Sequence, residues 1–133
     1  MKTATQRARR NEAPLIDIQA IKKEYVMGET TVYALRGVSL AVYPGEYVAI
    51  VGSSGSGKST LMNMIGLLDR PSDGSYCLRG TEVSRMNKAQ LANLRNREIG
   101  FIFQRFHLLP RTSAQRQVEL PLFYGGVGAR QAA

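Results

Sequence analysis

The sequence predicts an α/β fold with an antiparallel β subdomain towards its amino-terminal side. The first observation is the short run 47–51, whose apolar, β-branched residues are typical of a buried parallel strand. The second is that a glycine- and serine-rich loop and an apolar helical pattern follow this run directly. The third is a partly alternating stretch at 15–24, which favours a strand with one buried face, followed by a second extended stretch at 31–42 that is rich in valine, leucine and tyrosine. With 133 residues, the chain is long enough for one small domain and too short for two.

Apolar periodicity and turn residues predict the individual elements. In the first strand, Ile16, Ile18 and Ala20 alternate with polar residues and are expected to face the core. We expect the second strand to bend near Gly37 and to end in a type II turn at 43–46, where proline and glycine hold the two central positions. The predicted strands cover 15–24, 31–42, 47–51, 75–79 and 99–103, and the first two predicted helices cover 59–68 and 87–97. A last helix is expected to begin at a cap, Thr112 or Ser113, and to run through Leu120, where Pro121 would stop or bend it.

The helix predicted at 59–68 carries apolar side chains on most of its surface. We therefore expect it to be largely buried, with its methionines Met62 and Met64 in the core. The next helix is expected to turn Leu91 and Leu94 inward.

Residues 52–59 match G-x-x-x-x-G-K-[ST], the phosphate-binding loop of nucleoside-triphosphate-binding proteins. A polyphosphate needs several inward-facing N–H groups, and Gly55 and Gly57 can adopt the positive φ angles that such a backbone requires. Lys58 and the start of the following helix attract the β- and γ-phosphates, while the Ser59 hydroxyl is placed to ligate Mg²⁺. A plain loop could also be rich in glycine and serine, but the flanking strand and helix favour a binding site. The predicted nucleotide contacts of this segment are Gly52, Ser53, Ser54, Gly55, Ser56, Gly57, Lys58, Ser59 and, at the α-phosphate, Thr60.

The charge of the chain permits several partners and requires none of them. A net charge of +8 allows attraction to nucleic acid or to an anionic membrane surface. Because no platform of aromatic and basic residues accompanies it, no specific nucleic-acid partner is expected. The basic segment 1–14 is expected to be a disordered tail, and 128–133 a frayed end. The tail lacks the apolar core of a secretory signal, and no apolar run approaches the ~20 residues of a membrane span, so we expect a cytosolic location. The single cysteine, Cys77, is expected to be a buried or half-buried thiol.

Four stretches together suggest a family. They are Tyr25 near the end of the first strand, 34–40, 52–63, and 99–110 with its central Gln104. In these residues the chain resembles the nucleotide-binding domain of ATP-binding-cassette (ABC) transporters, most closely the macrolide-export and lipoprotein-release subfamily. The resemblance covers roughly 15–127 and implies an incomplete P-loop ATPase core of the ABC type, of which this chain holds the amino-terminal part.

The resemblance assigns roles to two further residues. It implies that Tyr25 stacks on adenine and that Gln104 contacts Mg²⁺ and the attacking water while relaying the nucleotide state to the membrane subunit. From the residues alone, Gln104 lies at the carboxyl end of a predicted strand, where α/β folds bind ligands, although a solvated loop amide is an alternative. A half-buried tyrosine at a strand end is the alternative for Tyr25. His107 is interpreted as loop packing. The resemblance also implies ATP and Mg²⁺ as cofactors, a membrane permease partner, a homodimer, and a place at the inner face of the cell membrane.

The chain departs from the family at several points. Residues 115–117 replace the usual Leu-Glu-Asn before Val118, which questions the local helix and its docking surface. The chain stops before the family's signature motif, its acid-bearing strand and its switch histidine, so no catalytic residue is identifiable, and ATP binding without hydrolysis is expected. Both a biological ending and an incomplete reading frame are compatible with the sequence. Because the strands that pair beside 47–51 are also absent, we expect this run to expose an apolar edge and the chain to associate or partly unfold.

Two other functions stay open on the sequence. One is a non-catalytic nucleotide-binding or interaction fragment, such as a pseudogene product. The other is a small P-loop kinase, which the segment 99–104 disfavours.

Overall fold

Strands dominate the first part of the chain and helices the second. The computed structural model describes residues 12–104 and 107–126. Its contacts divide the chain into two units, with the boundary after Asn87. The elements are β1 (Ile16–Met27), β2 (Thr30–Val42), α1 (Lys58–Ile65), β3 (Asp73–Leu78), β4 (Thr81–Glu82), α2 (Lys88–Glu98) and α3 (Ala114–Tyr124).

The four strands form one antiparallel sheet in the order β2-β1-β3-β4. β1 and β2 are joined by a tight turn at Gly28, which has a φ of +62°, and Met27 pairs with Thr30 across it. The predicted bend near Gly37 is confirmed, because the register between β1 and β2 shifts there and Gly37 has a φ of +98°. The predicted type II turn at 43–46 is also supported: the Glu46 N–H donates to the Tyr43 carbonyl at 3.1 Å, and the glycine between them has a positive φ.

The prediction that Ala20 faces the core is wrong. A bulge in β1 between Ile18 and Ile21 adds one residue, so that Ile21 takes the buried position and Ala20 is exposed. Ala20 has a φ of +48°, and its N–H donates to the Ser39 hydroxyl at 2.9 Å instead of to a strand carbonyl.

The sheet and α1 supply most of the core of the first unit. Tyr76 is 2% exposed, and its hydroxyl donates to the Ile65 carbonyl at 2.9 Å, which ties β3 to the last turn of α1. Burial raises the pKa of Tyr76 to about 12. The buried apolar residues of this unit are Ile18, Ile21, Leu35, Leu61, Met64, Leu67, Tyr76, Leu78 and Val83.

The expected burial of α1 holds for only one of its faces. Leu61 and Met64, which are three residues apart, are buried, whereas Met62 is 50% exposed. The prediction that both methionines lie in the core is therefore wrong for Met62. The helix ends at Ile65, earlier than predicted. In the turn beyond it Leu67 is buried, whereas Leu68 is exposed.

The runs 47–51 and 99–103 were predicted as strands, but the structure assigns neither of them to one. A strand requires a paired neighbour, and within 12–104 and 107–126 only β1 to β4 pair. Tyr47 is 98% exposed and Val51 87% exposed, whereas Ile50 is half-buried. The run thus exposes apolar side chains, as expected, but not as the edge of a strand. The association that this exposure would cause stays a prediction.

In the second unit, the helices agree with prediction apart from one end. Leu91 of α2 is buried and Leu94 half-buried, as expected. The Ser113 hydroxyl caps α3 by accepting the Arg116 N–H at 3.3 Å. Pro121 does not stop α3, since the helix continues to Tyr124 and the Gly125 N–H donates to the Pro121 carbonyl at 3.0 Å. The predicted bend at Pro121 stays a prediction.

The replacement at 115–117 leaves α3 intact. The side-chain oxygen of Gln117 accepts the Leu109 N–H at 3.0 Å, and its side-chain nitrogen donates to the Leu109 carbonyl at 3.1 Å. These two hydrogen bonds fasten the segment before α3 to the first turns of the helix.

Several predictions lie partly or wholly outside the described residues. They concern the tail at 1–14, of which only 12–14 are described, the frayed end at 128–133, and the motif positions Arg105 and Phe106. Among the helices of the described ranges, none combines the length and apolar character that crossing a bilayer would take.

Candidate nucleotide-binding site

Glycine is required in the loop 52–57 for two different reasons. Gly55 and Gly57 have φ angles of +77° and +87°, as predicted, in the region that side chains disfavour. At Gly57 the packing is tight as well, since a Cβ atom would lie 2.5 Å from the Ala34 carbonyl oxygen and 3.1 Å from a Leu35 methyl group. The loop therefore packs directly against β2, and its shape depends on the positive φ angles of its glycines.

Lys58 folds back over this loop. Its ammonium donates to the Ser53 carbonyl and to the Ser56 hydroxyl, the latter at 3.3 Å. The Ser56 N–H also donates to the Ser53 carbonyl at 3.3 Å. Phosphate oxygens are acceptors of the same kind and carry charge, so they are stronger partners for the ammonium than these neutral oxygens.

The first turn of α1 suits an anion. Gly57 holds the cap position, and in this fully described stretch no side chain caps the helix and no acidic residue lies in the first turn. The N–H groups at a helix start lack intrahelical partners and carry partial positive charge. Ser59 is exposed at this end, while Lys58 and Thr60 are half-buried. The donors and charge of this end fit a polyphosphate, and the Ser59 hydroxyl is available for its metal ion.

Tyr25 lies beside this helix. Its ring is 37% exposed, and its hydroxyl donates to Asp69 Oδ2 at 3.0 Å. The Thr60 hydroxyl also interacts with the phenol. Burial raises the pKa of Tyr25, the hydrogen bond and negative charge of Asp69 raise it further, and Thr60 opposes them. The structure thus brings the predicted adenine contact next to the predicted α-phosphate contact.

The sequence reasoning missed the residues that hold Tyr25. Lys23 donates to Asp69 Oδ1 at 2.7 Å and to the Arg70 carbonyl at 2.8 Å, and its ammonium lies 5.0 Å from the centre of the Tyr25 ring. Burial acts to raise the pKa of Asp69, but the hydrogen bonds from Lys23, the Arg70 N–H and Tyr25 outweigh it, and the pKa is lowered. The spacing of Lys23 and Tyr25, two apart in a strand, placed them on one face. No sequence signal marked Asp69 as the partner of these two side chains.

Gln104 belongs to the second unit, whereas the loop 52–60 belongs to the first. It is exposed and follows the run 99–103. Nearby, the Phe101 and Phe103 rings stack with centres 5.3 Å apart, and His107 lies 4.8 Å from Phe103. This contact agrees with the interpretation of His107 as loop packing, although both residues are exposed. The metal contact of Gln104 stays a prediction.

A comparison with known families assigns the chain to a family. The family described as "ABC transporter" matches residues 35–133, a range that includes the loop 52–60 and Gln104. The chain belongs to the ABC transporter family.

Individual ABC proteins agree with this assignment. The chain is 52% identical over 117 residues to an uncharacterized ABC transporter ATP-binding protein of Thermotoga maritima, covering 88% of this chain and 50% of that protein. It is also 52% identical over 113 residues to the macrolide export ATP-binding/permease protein MacB of Nitrobacter winogradskyi, covering 85% of this chain and 18% of that protein. The chain therefore spans half or less of the length of these relatives.

A solved ABC structure has the same fold. It is the dimeric, post-hydrolysis state of the ATP-binding cassette MJ0796 bound to ADP and Pi, with a TM-score of 0.79 and 41% sequence identity. The match covers 86% of this chain and 49% of that one. The predicted fold class, an incomplete ABC-type P-loop domain with an antiparallel β subdomain, is confirmed by this likeness.

Proposed function

We propose that this chain is part of the ATP-binding subunit of an ABC export system and that it binds Mg-ATP through the loop 52–60. The observation that carries the proposal is the start of α1. A glycine-shaped loop, the ammonium of Lys58 and a helix end without an acidic or capping side chain converge there. The relatives with MacB-type names support export as the process that the subunit serves.

Each residue of the proposed site has a chemical role. The N–H groups of 52–60 and the Lys58 ammonium bind the β- and γ-phosphates, and Ser59 ligates Mg²⁺. Thr60 contacts the α-phosphate, and Tyr25 stacks on adenine. For Gln104 the proposed role, a contact to Mg²⁺ and the attacking water, rests on the family resemblance of its sequence segment alone. Bound Mg²⁺ would neutralise charge that builds up on the phosphates, while the chain itself supplies position and hydrogen bonds.

The proposed partners are a second ATP-binding subunit and a membrane permease. Support for the first is the dimeric state of the solved cassette, and support for the second is the printed name of the MacB relative, which joins an ATP-binding and a permease part. With these partners, the subunit would lie in the cytoplasm against the inner face of the cell membrane.

The test of nucleotide binding is a comparison of two lysines. Lys58→Ala removes the ammonium over the loop, whereas Lys22→Ala removes an ammonium that is paired with Asp73 at 2.9 Å on the surface. We expect Lys58→Ala to weaken Mg-ATP binding by about tenfold or more in equilibrium dialysis, since hydrogen bonds to charged groups contribute ~1.5–3 kcal/mol. Lys22→Ala should bind as the unmodified chain does. Equal retention of ATP by the unmodified chain and Lys58→Ala would contradict the proposal.

ATP hydrolysis, measured as phosphate release from the same samples, distinguishes a chain that only binds ATP from one that also hydrolyses it. The sequence left open a fragment that binds nucleotide without hydrolysing it, and no residue of this chain is identified as a catalytic acid. We therefore expect no release above the Lys58→Ala background. A release that depends on Lys58 would instead show an active ATPase.

A further inference from the structure

The Asp69 carboxylate joins two side chains of β1 to the segment that follows α1. Its Oδ2 atom accepts the Tyr25 hydroxyl at 3.0 Å, and its Oδ1 atom accepts both the Lys23 ammonium and the Arg70 N–H, each at 2.7 Å. Both oxygens are thus engaged, and three donors from two parts of the chain fix the orientation of the carboxylate. Rotating it would break all of these hydrogen bonds together.

Lys23 is held as firmly as Asp69. Its side chain is only 12% exposed, that of Asp69 is 33% exposed, and the Lys23 ammonium also donates to the Arg70 carbonyl. Exposed ion pairs contribute little because water competes for both charges, but this pair is largely shielded on the lysine side. It is therefore suited to fix a geometry.

Asp69 and Lys23 together fix the orientation of the Tyr25 ring. The phenol hydroxyl is bound by Asp69, and the Lys23 ammonium lies over the ring, 5.0 Å from its centre, where a cation is attracted to the π-system. With one end bound and a cation over the ring, the tyrosine keeps one orientation while 37% of it stays exposed. A ring that is already oriented loses less side-chain entropy when a planar ligand stacks on it.

We propose that Asp69 and Lys23 are positioning residues for Tyr25 and set the affinity of the site for the adenine base without contacting the phosphates. The inference rests on the proposed function, because it assumes that Tyr25 stacks on the base of a bound nucleotide. It assigns a role to an ion pair that contacts the ring and its hydroxyl and lies outside the loop motif. The proposal predicts a selective loss of affinity. Breaking the Asp69–Lys23 pair should weaken binding of ligands that carry the base and leave binding of the phosphate chain unchanged.

The test uses two ligands and a matched control. Mg-ATP carries the base, and Mg-tripolyphosphate carries the phosphate chain alone. Asp69→Asn removes the charge that holds Lys23, while Asp73→Asn makes the same chemical change in an exposed pair with Lys22. In equilibrium dialysis we expect Asp69→Asn to weaken ATP binding roughly 3- to 10-fold. Tripolyphosphate binding should stay unchanged, and Asp73→Asn should change neither ligand.

Two further variants keep the test decisive should Asp69→Asn fail to fold. Tyr25→Phe removes the hydroxyl, which binds Asp69 and also interacts with Thr60, and Lys23→Met keeps an apolar stem without the charge. Both should lower the affinity for ATP and leave that for tripolyphosphate intact. Equal loss of both ligands in these variants, or no loss of ATP in any of the three, would overturn the inference while the Lys58-dependent binding stands. Failure of the unmodified chain to bind ATP would overturn both the inference and the proposed function.

Discussion

Replacing Gly57 by alanine should destabilise the chain more than replacing an equally twisted glycine elsewhere. Gly57 and Gly80 have φ angles of +87° and +75°, so alanine meets a similar backbone penalty of ~1–2 kcal/mol at both positions. Around Gly80 a Cβ atom meets nothing within 4 Å, whereas at Gly57 it would lie 2.5 Å from the Ala34 carbonyl oxygen. Because Cβ contacts under 3.0 Å essentially do not occur, the backbone must shift by at least 3.0 − 2.5 = 0.5 Å.

At Gly57 the steric clash adds an overpacking cost to the backbone penalty of alanine. Overpacking in well-packed sites costs ~1–3 kcal/mol, so Gly57→Ala should lower the free energy of unfolding by ~2–5 kcal/mol and Gly80→Ala by only ~1–2 kcal/mol. Urea unfolding followed by circular dichroism at submicromolar concentration, where association is limited, measures the difference. Gly57→Ala should also weaken Mg-ATP binding, because the displaced backbone belongs to the proposed phosphate-binding loop, and Gly80→Ala should not. Equal unfolding free energies for the two variants would refute the packing argument.

Two further predictions concern stability. Tyr76→Phe should lower the free energy of unfolding by ~1–3 kcal/mol in urea, since it removes the hydrogen bond to the Ile65 carbonyl from a residue that is 2% exposed; an unchanged midpoint would contradict this. Stability should also fall at both ends of the pH range. The pKa of Tyr76 is raised from 10.0 to about 12, so its contribution is present below pH 10 and is lost as the pH rises towards 12. The pKa of Asp69 is lowered from 3.8, so its contribution is present above pH 3.8 and is lost as the pH falls through the folded-state value. Melting temperatures of Tyr76→Phe and Asp69→Asn across pH should lack the alkaline and the acid part of this loss, respectively.

The sequence allowed good predictions wherever backbone geometry is decided locally. The turn at 43–46, the bend at Gly37 and the two glycines of the phosphate loop all depend on φ values that only certain residues adopt easily. The cap at Ser113 is local in the same sense, because its hydroxyl reaches an N–H three residues away.

Predictions that depended on distant neighbours were less successful. A β-branched composition at 47–51 favours a strand, but composition supplies no pairing partner. The burial of Met62 and Ala20 was misjudged because it depends on where a helix face is covered and where a bulge falls. The link from Tyr25 to Asp69 spans 44 positions, and no local pattern records such a contact.

The pair of hydrogen bonds between the Gln117 side chain and the Leu109 backbone has a consequence for how this part of the chain can vary in length. Surface segments usually accept insertions and deletions, because their ends can adjust independently. Here the Gln117 side-chain amide uses both its oxygen and its nitrogen to bind the N–H and the carbonyl of a single residue eight positions back, at 3.0 and 3.1 Å. Adding or removing one residue in the helical part of this interval, between Ala114 and Gln117, would turn the helix face that carries Gln117 by ~100° relative to Leu109, and both hydrogen bonds would be lost together. The spacing from 109 to 117 is therefore as much a part of the structure as the residues at its two ends.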